Sequence, residues 1–387
     1  METYTIKVGD NLTKIAIKLF GDANKWRELA DLNGIVDPSK IKVGQVLNVM
    51  PKPVAIGIPA SPAPVNPSPS PAPVITAPVV QSVSGEAEIT ITDKIVFYRF
   101  KNTTDKIKLG RLSRLGISRQ GDFNTEKFIA NNATLLAGLS LSTSEINTLL
   151  AVSQNEGNLD AINTYDDSFL SWGMFQWTLG QKTDPGELPA LLKVIKAKQP
   201  EAFKTFFGNF GIDIDVSTNN ITGQLTLNGI IQNTIARKSA FRSNNWALRF
   251  ALAGKDPQVC SMQVLHAINR FNNFYFVPYT DFGGLTINDM LSSEYAAALL
   301  IDQHTNRPGH VKKVVLQALQ QSKMTAQQLA NGTDADELKV INKYIAIRNT
   351  TTMTDSVKRA GVVKSFLDKG LISAKKKSFI SNCALRK

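Results

Sequence analysis

Glu156 stands directly before Gly157 and ten residues before the pair Asp166-Asp167, and the run Ser171-Trp-Gly-Met-Phe-Gln176-Trp177 follows. A carboxyl that is partly buried suits general acid work, because burial disfavours its charged form and raises its pKa towards neutrality. A second carboxylate would activate water from about 6.5–9.5 Å in an inverting glycosidase, or attack directly from about 5 Å in a retaining one. Asp166 and Asp167 are candidates for that partner, with Asp166 slightly ahead, and Asp-Asp-Ser is also good turn chemistry. Ser171 and Gln176 offer a hydroxyl and an amide that can orient an acid or hold an acetamide, while Gly173 lets a sugar ring approach the backbone. Trp172 and Trp177 provide flat faces for stacking on a sugar, or bulk for a core.

Helices and a hairpin must position these groups. NTEKFIANNATLLAGL and TSEINTLLAVSQNEG carry apolar residues at helical spacing, with Asn124 as the first cap and Ser142 or Thr143 as the second. Glu156 then falls at the end of the second helix, after an apolar face of Ile146, Leu149, Leu150 and Val152, at a cleft edge. AINTYDDSFLSWGMFQW reads as a hairpin that returns the chain across that helix end and brings Ser171, Gly173 and Gln176 towards the carboxyl. Alone, Glu156 would be read as a surface residue; the hairpin return favours a glycosidase acid.

Glu156 followed by Ser171-Trp-Gly-Met-Phe-Gln176 is similar to the lysozyme-like superfamily, especially soluble lytic transglycosylases and goose-type lysozymes, over about residues 150–180. The resemblance implies a mainly α fold with Glu156 as acid/base, Ser171 supporting it and Gln176 near the sugar. It also implies that Asp166 lies roughly where chitosanase-like relatives place a second carboxylate. The Ala-Tyr-Asn-Ala-Gly signature of transglycosylases is absent, and the spacing is two residues longer than theirs. Hydrolysis is therefore favoured over a transglycosylase route, which would need Glu156 alone. LHAINRFNNFYF and SEYAAALLIDQHTNRPGHV fit later helices of such a cleft, where Tyr295, His304 and Arg307 would line it or serve in packing and capping.

Residues 1–50 make a separate pattern: a strand (TYTIKV), a helix with Leu12, Ile15, Ala16 and Leu19 on one face, a second helix (ANKWRELADLNG) and a closing strand (IKVGQVLNV). YTIKVGDNLTKIAIKLFG, Trp26, Asn33 and DPSKIKVGQVLNV resemble a LysM domain across its whole length. That resemblance implies binding of N-acetylglucosamine-containing glycans such as peptidoglycan and chitin. Its site would lie between one loop at Gly9, Asp10, Asn11 and Leu12 and another at Gly34, Ile35 and Val36. The FGDANKW insert resembles versions in phage-tail and injection-machine baseplates, which implies the alternative of docking to an assembly.

Residues 51–85 hold 10 of the 17 prolines and read as a polyproline-like spacer. Residues 86–123 are expected as a short β-rich connecting segment, 124–310 as the lysozyme-like domain and 311–387 as a basic helical extension. The expected architecture is thus multidomain: a small α+β module, a Pro-rich linker and a mainly α domain with a small β-hairpin. Of the net charge of +12, residues 311–387 account for 15 Lys or Arg against 5 Asp or Glu. Such a surface suits anionic lipid, acidic wall polymers or a solvated face, and no nucleic-acid motif accompanies it.

The 387 residues contain no apolar run near the roughly 20 needed to span a bilayer. METYTIKVGDN lacks a signal-peptide pattern, so a chain acting at the cell wall would need release, injection or carriage by a particle or secretion machine. Cys260 and Cys383 suggest two free thiols, and His266, His304 and His310 lack metal-ligand spacing. No cofactor is expected. These features point to a cell-wall glycosidase, with a non-enzymatic component of a phage tail or contractile injection system as the rival.

Overall fold

In a computed structural model describing residues 2–7, 10–20, 29–30, 33, 35, 40–49, 87–101, 103–217 and 222–383, the chain forms two units, Met1–Ile75 and Thr76–Lys387. The expected Pro-rich linker lies outside the described residues. In the first unit, β1 (Glu2–Thr5) pairs antiparallel with β2 (Val46–Val49), placing Tyr4 opposite Leu47. Helix α1 (Leu12–Phe20) turns Leu12 and Ile15 into a small core with Ile6, Leu29, Ala30 and Leu47. Of the expected second helix, Leu29, Ala30 and Asn33 are described; the first two are helical and buried, and Asn33 lies in a turn.

In the second unit a seven-stranded antiparallel sheet follows sequence order: β3 (Ala87–Thr92), β4 (Ile95–Phe100), β5 (Ile107–Leu112), β6 (Ile117–Arg119), β7 (Ile162–Asn163), β8 (Ser171–Trp172) and β9 (Trp177–Thr178). The β-rich segment expected over 86–123 supplies β3 to β6, and the expected hairpin continues the same sheet. The pairs Ser118↔Asn163 and Arg119↔Ile162 join them into one sheet, so β7 gains a ladder on both sides.

Between β6 and β7 run α2 (Thr125–Asn131) and α3 (Thr143–Ser153). Asn124 Oδ1 accepts the Lys127 N–H, and Ser142 and Glu145 form a reciprocal capping box at the start of α3. A separate three-stranded sheet, β10 (Ile212–Asp215), β11 (Gln224–Leu227) and β12 (Ile230–Ile231), follows α4 (Leu188–Lys198). The rest is mainly helical: α5 (Pro257–Asn269), α6 (Glu294–Asn306), α7 (Val311–Gln321), α8 (Asp334–Arg348) and α9 (Ser356–Asp368). Helix α6 is buried all round from Glu294 to His304, which makes it the centre of the helical region.

Residues 311–387 do not form an appendage. Helix α9 packs on α6 and α3, and the segment after it returns to the start of α3. There the Glu145 carboxylate accepts the Ser381 hydroxyl at 2.7 Å and the Asn382 N–H at 3.0 Å. Part of the basic surplus is also drawn inward: Arg348 is fully buried, and Lys376 Nζ donates to the Met290 and Leu329 carbonyls at helix ends.

Candidate functional site

Glu156 lies just beyond α3, where Gly157 donates its N–H to Met174 O at 3.0 Å. This bond docks the helix end onto the hairpin, as the expected return of the chain requires. Gly173, at φ +79°, suits that turn, because the left-handed backbone strains other residues and a Cβ there would come within 2.3 Å of Gln263 Oε1. The fully buried Gln263 accepts the Met174 N–H at 3.1 Å and donates to Leu159 O at 2.9 Å, fastening the turn to α5. Gln176 closes it in left-handed conformation (φ +49°), its side-chain amide donating to Gly173 O at 2.9 Å.

Glu156, Gly157 and Gln176 line a polar cleft of about 390 Å³ together with Asn158, Asn163, the β6 residues Ser118 and Arg119, and Gln120 just after them. The Glu156 side chain is only 11% exposed and forms an ion pair with Arg359 on α9. Arg359 also donates to Asp302 Oδ1 at 2.7 Å and to Asn155 O at 2.9 Å. Asp302, fully buried on α6, takes a further charge-assisted bond from Arg348 at 2.8 Å. Asp302 is thus gripped by two guanidinium groups, and Glu156 has a share of one. Burial pushes the Glu156 carboxyl up to about 7 despite the opposing pull of Arg359, and the Asp302 charge adds to the rise.

The remaining expected site residues separate into groups. Asp166 is half-buried in the turn between β7 and β8, where it accepts the Ser168 N–H at 2.9 Å and the Asn163 amide at 2.9 Å; Asp167 is exposed beside it. The turn chemistry therefore occupies Asp166, which reaches the cleft only through Asn163. Ser171 is 3% exposed on β8, outside the cleft lining. Trp177 and Tyr295 are core residues at 1% and 4% exposure, so neither presents a face for stacking. An aromatic on a two-residue strand between hairpin and helix packs inward: Trp177 meets His266 edge-on at 5.5 Å.

Arg359, Asp302, Arg348 and Arg119 are participants that sequence reasoning missed. An aspartate inside the apolar run AAALLIDQH was the available signal, since a buried acid demands a cationic partner.

A second cleft, of about 490 Å³, is lined by Gln176, Thr178, Asp184, Glu187, Arg270 and Thr305 among others. Arg270 makes a two-pronged bond to Glu187 (2.7 and 3.1 Å), and its Nε donates to His304 Nδ1 at 2.9 Å. Burial, and then the Arg270 charge, hold His304 down at about 3, so it remains a neutral acceptor. Among the described residues no cluster of three or more His, Cys, Asp or Glu is arranged to hold a metal ion, and no helix is long and apolar enough to cross a membrane.

In the first unit the Asp10 carboxylate accepts the Tyr4 hydroxyl at 2.8 Å and the Lys7 N–H at 2.9 Å, and Asn11 accepts the Lys14 N–H at 2.8 Å as the cap of α1. Asn33 bridges to Asn48 through bonds of 2.9 and 2.7 Å. A family model of the LysM domain matches residues 4–49.

The N-terminal module is a LysM domain.

Peptidoglycan or chitin binding is what this LysM domain implies. Within it, Leu12 belongs to the core, Ile35 packs against that core, and the Asp10 and Asn11 side chains shape the loop. Gly9 and Gly34 lie outside the described residues. Two curated proteins of Mycobacterium tuberculosis share similarity with the chain: Esterase MT1326 (strain CDC 1551 / Oshkosh) and Esterase Rv1288 (strain ATCC 25618 / H37Rv). Each is 48% identical over 44 residues, covering 11% of this chain and 10% of the relative. The chain thus spans about a tenth of the length of these relatives. No solved structure gives a significant match.

Proposed function

We propose that this protein is a cell-wall glycosidase: its LysM domain holds N-acetylglucosamine-containing glycan while the second unit cleaves peptidoglycan, with Glu156 as general acid. The observation that carries this is a carboxyl pushed up to about 7 on the wall of a polar cleft. A general acid is most effective when its pKa lies near the working pH. Gln176 and Asn158 on the same walls supply amides suited to acetamido groups. Delivery by a phage-like or contractile injection particle, or as an injected effector, completes the proposal.

The second reading is a non-enzymatic adaptor of such a particle with a lysozyme-like domain that has lost activity. It draws on the Arg359 ion pair, which already occupies the Glu156 carboxylate. Full-length protein and its Glu156→Gln variant, incubated with purified peptidoglycan and analysed by mass spectrometry, separate the two. Fragments with reducing ends from the wild type alone support the glycosidase. Release by neither protein supports the adaptor, and anhydro ends would replace hydrolysis by a transglycosylase route.

A further inference from the structure

Glu187 is a carboxylate of the second cleft that no expected role absorbs. It is the N-cap residue of α4, its side chain is 46% exposed, and both its oxygens accept N–H groups from Arg270. The Glu187 cleft and the Glu156 cleft share one lining residue, Gln176. Arg270 is also close enough for its charge to act on Glu156.

The loop carrying Glu187 is held with unusual firmness. Gly180 and Gly186 adopt φ of +76° and +66°, and a Cβ at either would lie within 2.2 Å of a backbone oxygen. The fully buried Lys238 donates its ammonium protons to the Gly180 and Asp184 carbonyls. Arg270 is fixed from behind by His304, whose ring stacks on Phe274 at 4.1 Å. A buried lysine, two left-handed glycines and a backed guanidinium thus fix one half-exposed carboxylate in the cleft that shares Gln176 with that of Glu156. Asp166, by comparison, lines neither cleft.

We propose that Glu187 is the second catalytic carboxylate, the general base that activates water against a glycan lying across Gln176. This assignment rests on Glu156 being the acid. In the step, Glu156 gives its proton to the glycosidic oxygen as the bond to the anomeric carbon breaks. The water oxygen bonds that carbon, and a water proton passes to Glu187. Exchange with solvent reprotonates Glu156 and releases the proton from Glu187. The first-formed reducing end then carries the inverted anomer, the outcome of a base that activates water instead of attacking the sugar itself.

Full-length wild type, Glu187→Ala, Glu187→Gln and Glu156→Gln are assayed on peptidoglycan and on an N-acetylglucosamine hexamer, with and without sodium azide, alongside thermal melting. Both Glu187 variants are expected to melt as folded proteins and to lose about 10²–10⁴-fold in rate. Azide restores turnover to Glu187→Ala and leaves a glycosyl azide, which a merely structural residue would not produce. Wild-type rates in either Glu187 variant, or a folded Glu187→Ala that azide does not rescue, overturn the assignment. Activity retained by Glu156→Gln would instead remove the acid on which it depends.

Discussion

Arg359 stands between two carboxylates, donating from the same Nη2 to Glu156 and to Asp302, although 203 and 57 residues respectively separate it from them in the chain. One guanidinium therefore couples the cleft wall to the centre of the helical region, and its removal strands Glu156 and leaves Asp302 to Arg348 alone.

Arg359→Ala is expected to destabilise the second unit by about 3–5 kcal/mol, because it leaves buried charge uncompensated. Arg359→Lys keeps the charge but not the fork, and should fall between the two. Chemical denaturation of all three proteins decides the matter, and equal midpoints for wild type and Arg359→Ala would contradict it.

The Glu156 proton gives a pH signature. Its folded-state pKa of about 7 lies above the ordinary carboxyl value of 4.5, so folding favours the protonated form. The associated stabilisation is complete below about pH 4.5 and is lost as pH rises through about 7, an effect on the order of 3 kcal/mol. Wild type should therefore lose stability relative to Glu156→Gln across that window. Cleavage should fall over the alkaline side of the same titration, measured as initial rate on peptidoglycan.

Gly173→Ala should cost on the order of 1–3 kcal/mol from backbone strain, since both its φ and the neighbouring Gln263 oxygen exclude a side chain. Because the turn carries Gln176, cleavage should decline even in the fraction that remains folded. Melting temperature and rate, measured together, test both parts.

Deleting residues 1–50 removes the LysM domain while leaving the second unit intact. Retention on chitin or insoluble peptidoglycan is expected to drop about tenfold or more, while cleavage of soluble oligomers stays unchanged. Equal retention in a pull-down would mean that the LysM domain does not hold these glycans here.

Local chemistry was the legible part of this sequence. The caps at Asn124 and Ser142, the LysM pattern and the docking of the hairpin on the Glu156 helix end all rest on contacts between near neighbours or on short motifs. Residue type alone could not tell a stacking tryptophan from a core one, and Trp177 went to the core. Nor could spacing reveal that Ser118 would pair with Asn163, or that Arg348 and Arg359 would turn inward, since those contacts join distant segments and burial decides them. The charge surplus of 311–387 was visible, but its division between surface and interior depended on where Asp302 and Glu337 lay.

The bonds from Ser381 and Asn382 to Glu145 have a consequence for how the protein is made. The helix leading to the acid is secured at one end by Arg359, 203 residues after Glu156, and at the other by this returning strap, 237 residues after Glu145. A nascent chain therefore carries Glu156 without its clamp until those later segments have followed it out of the ribosome. A product terminated before Arg359 would carry a LysM domain without a properly held acid.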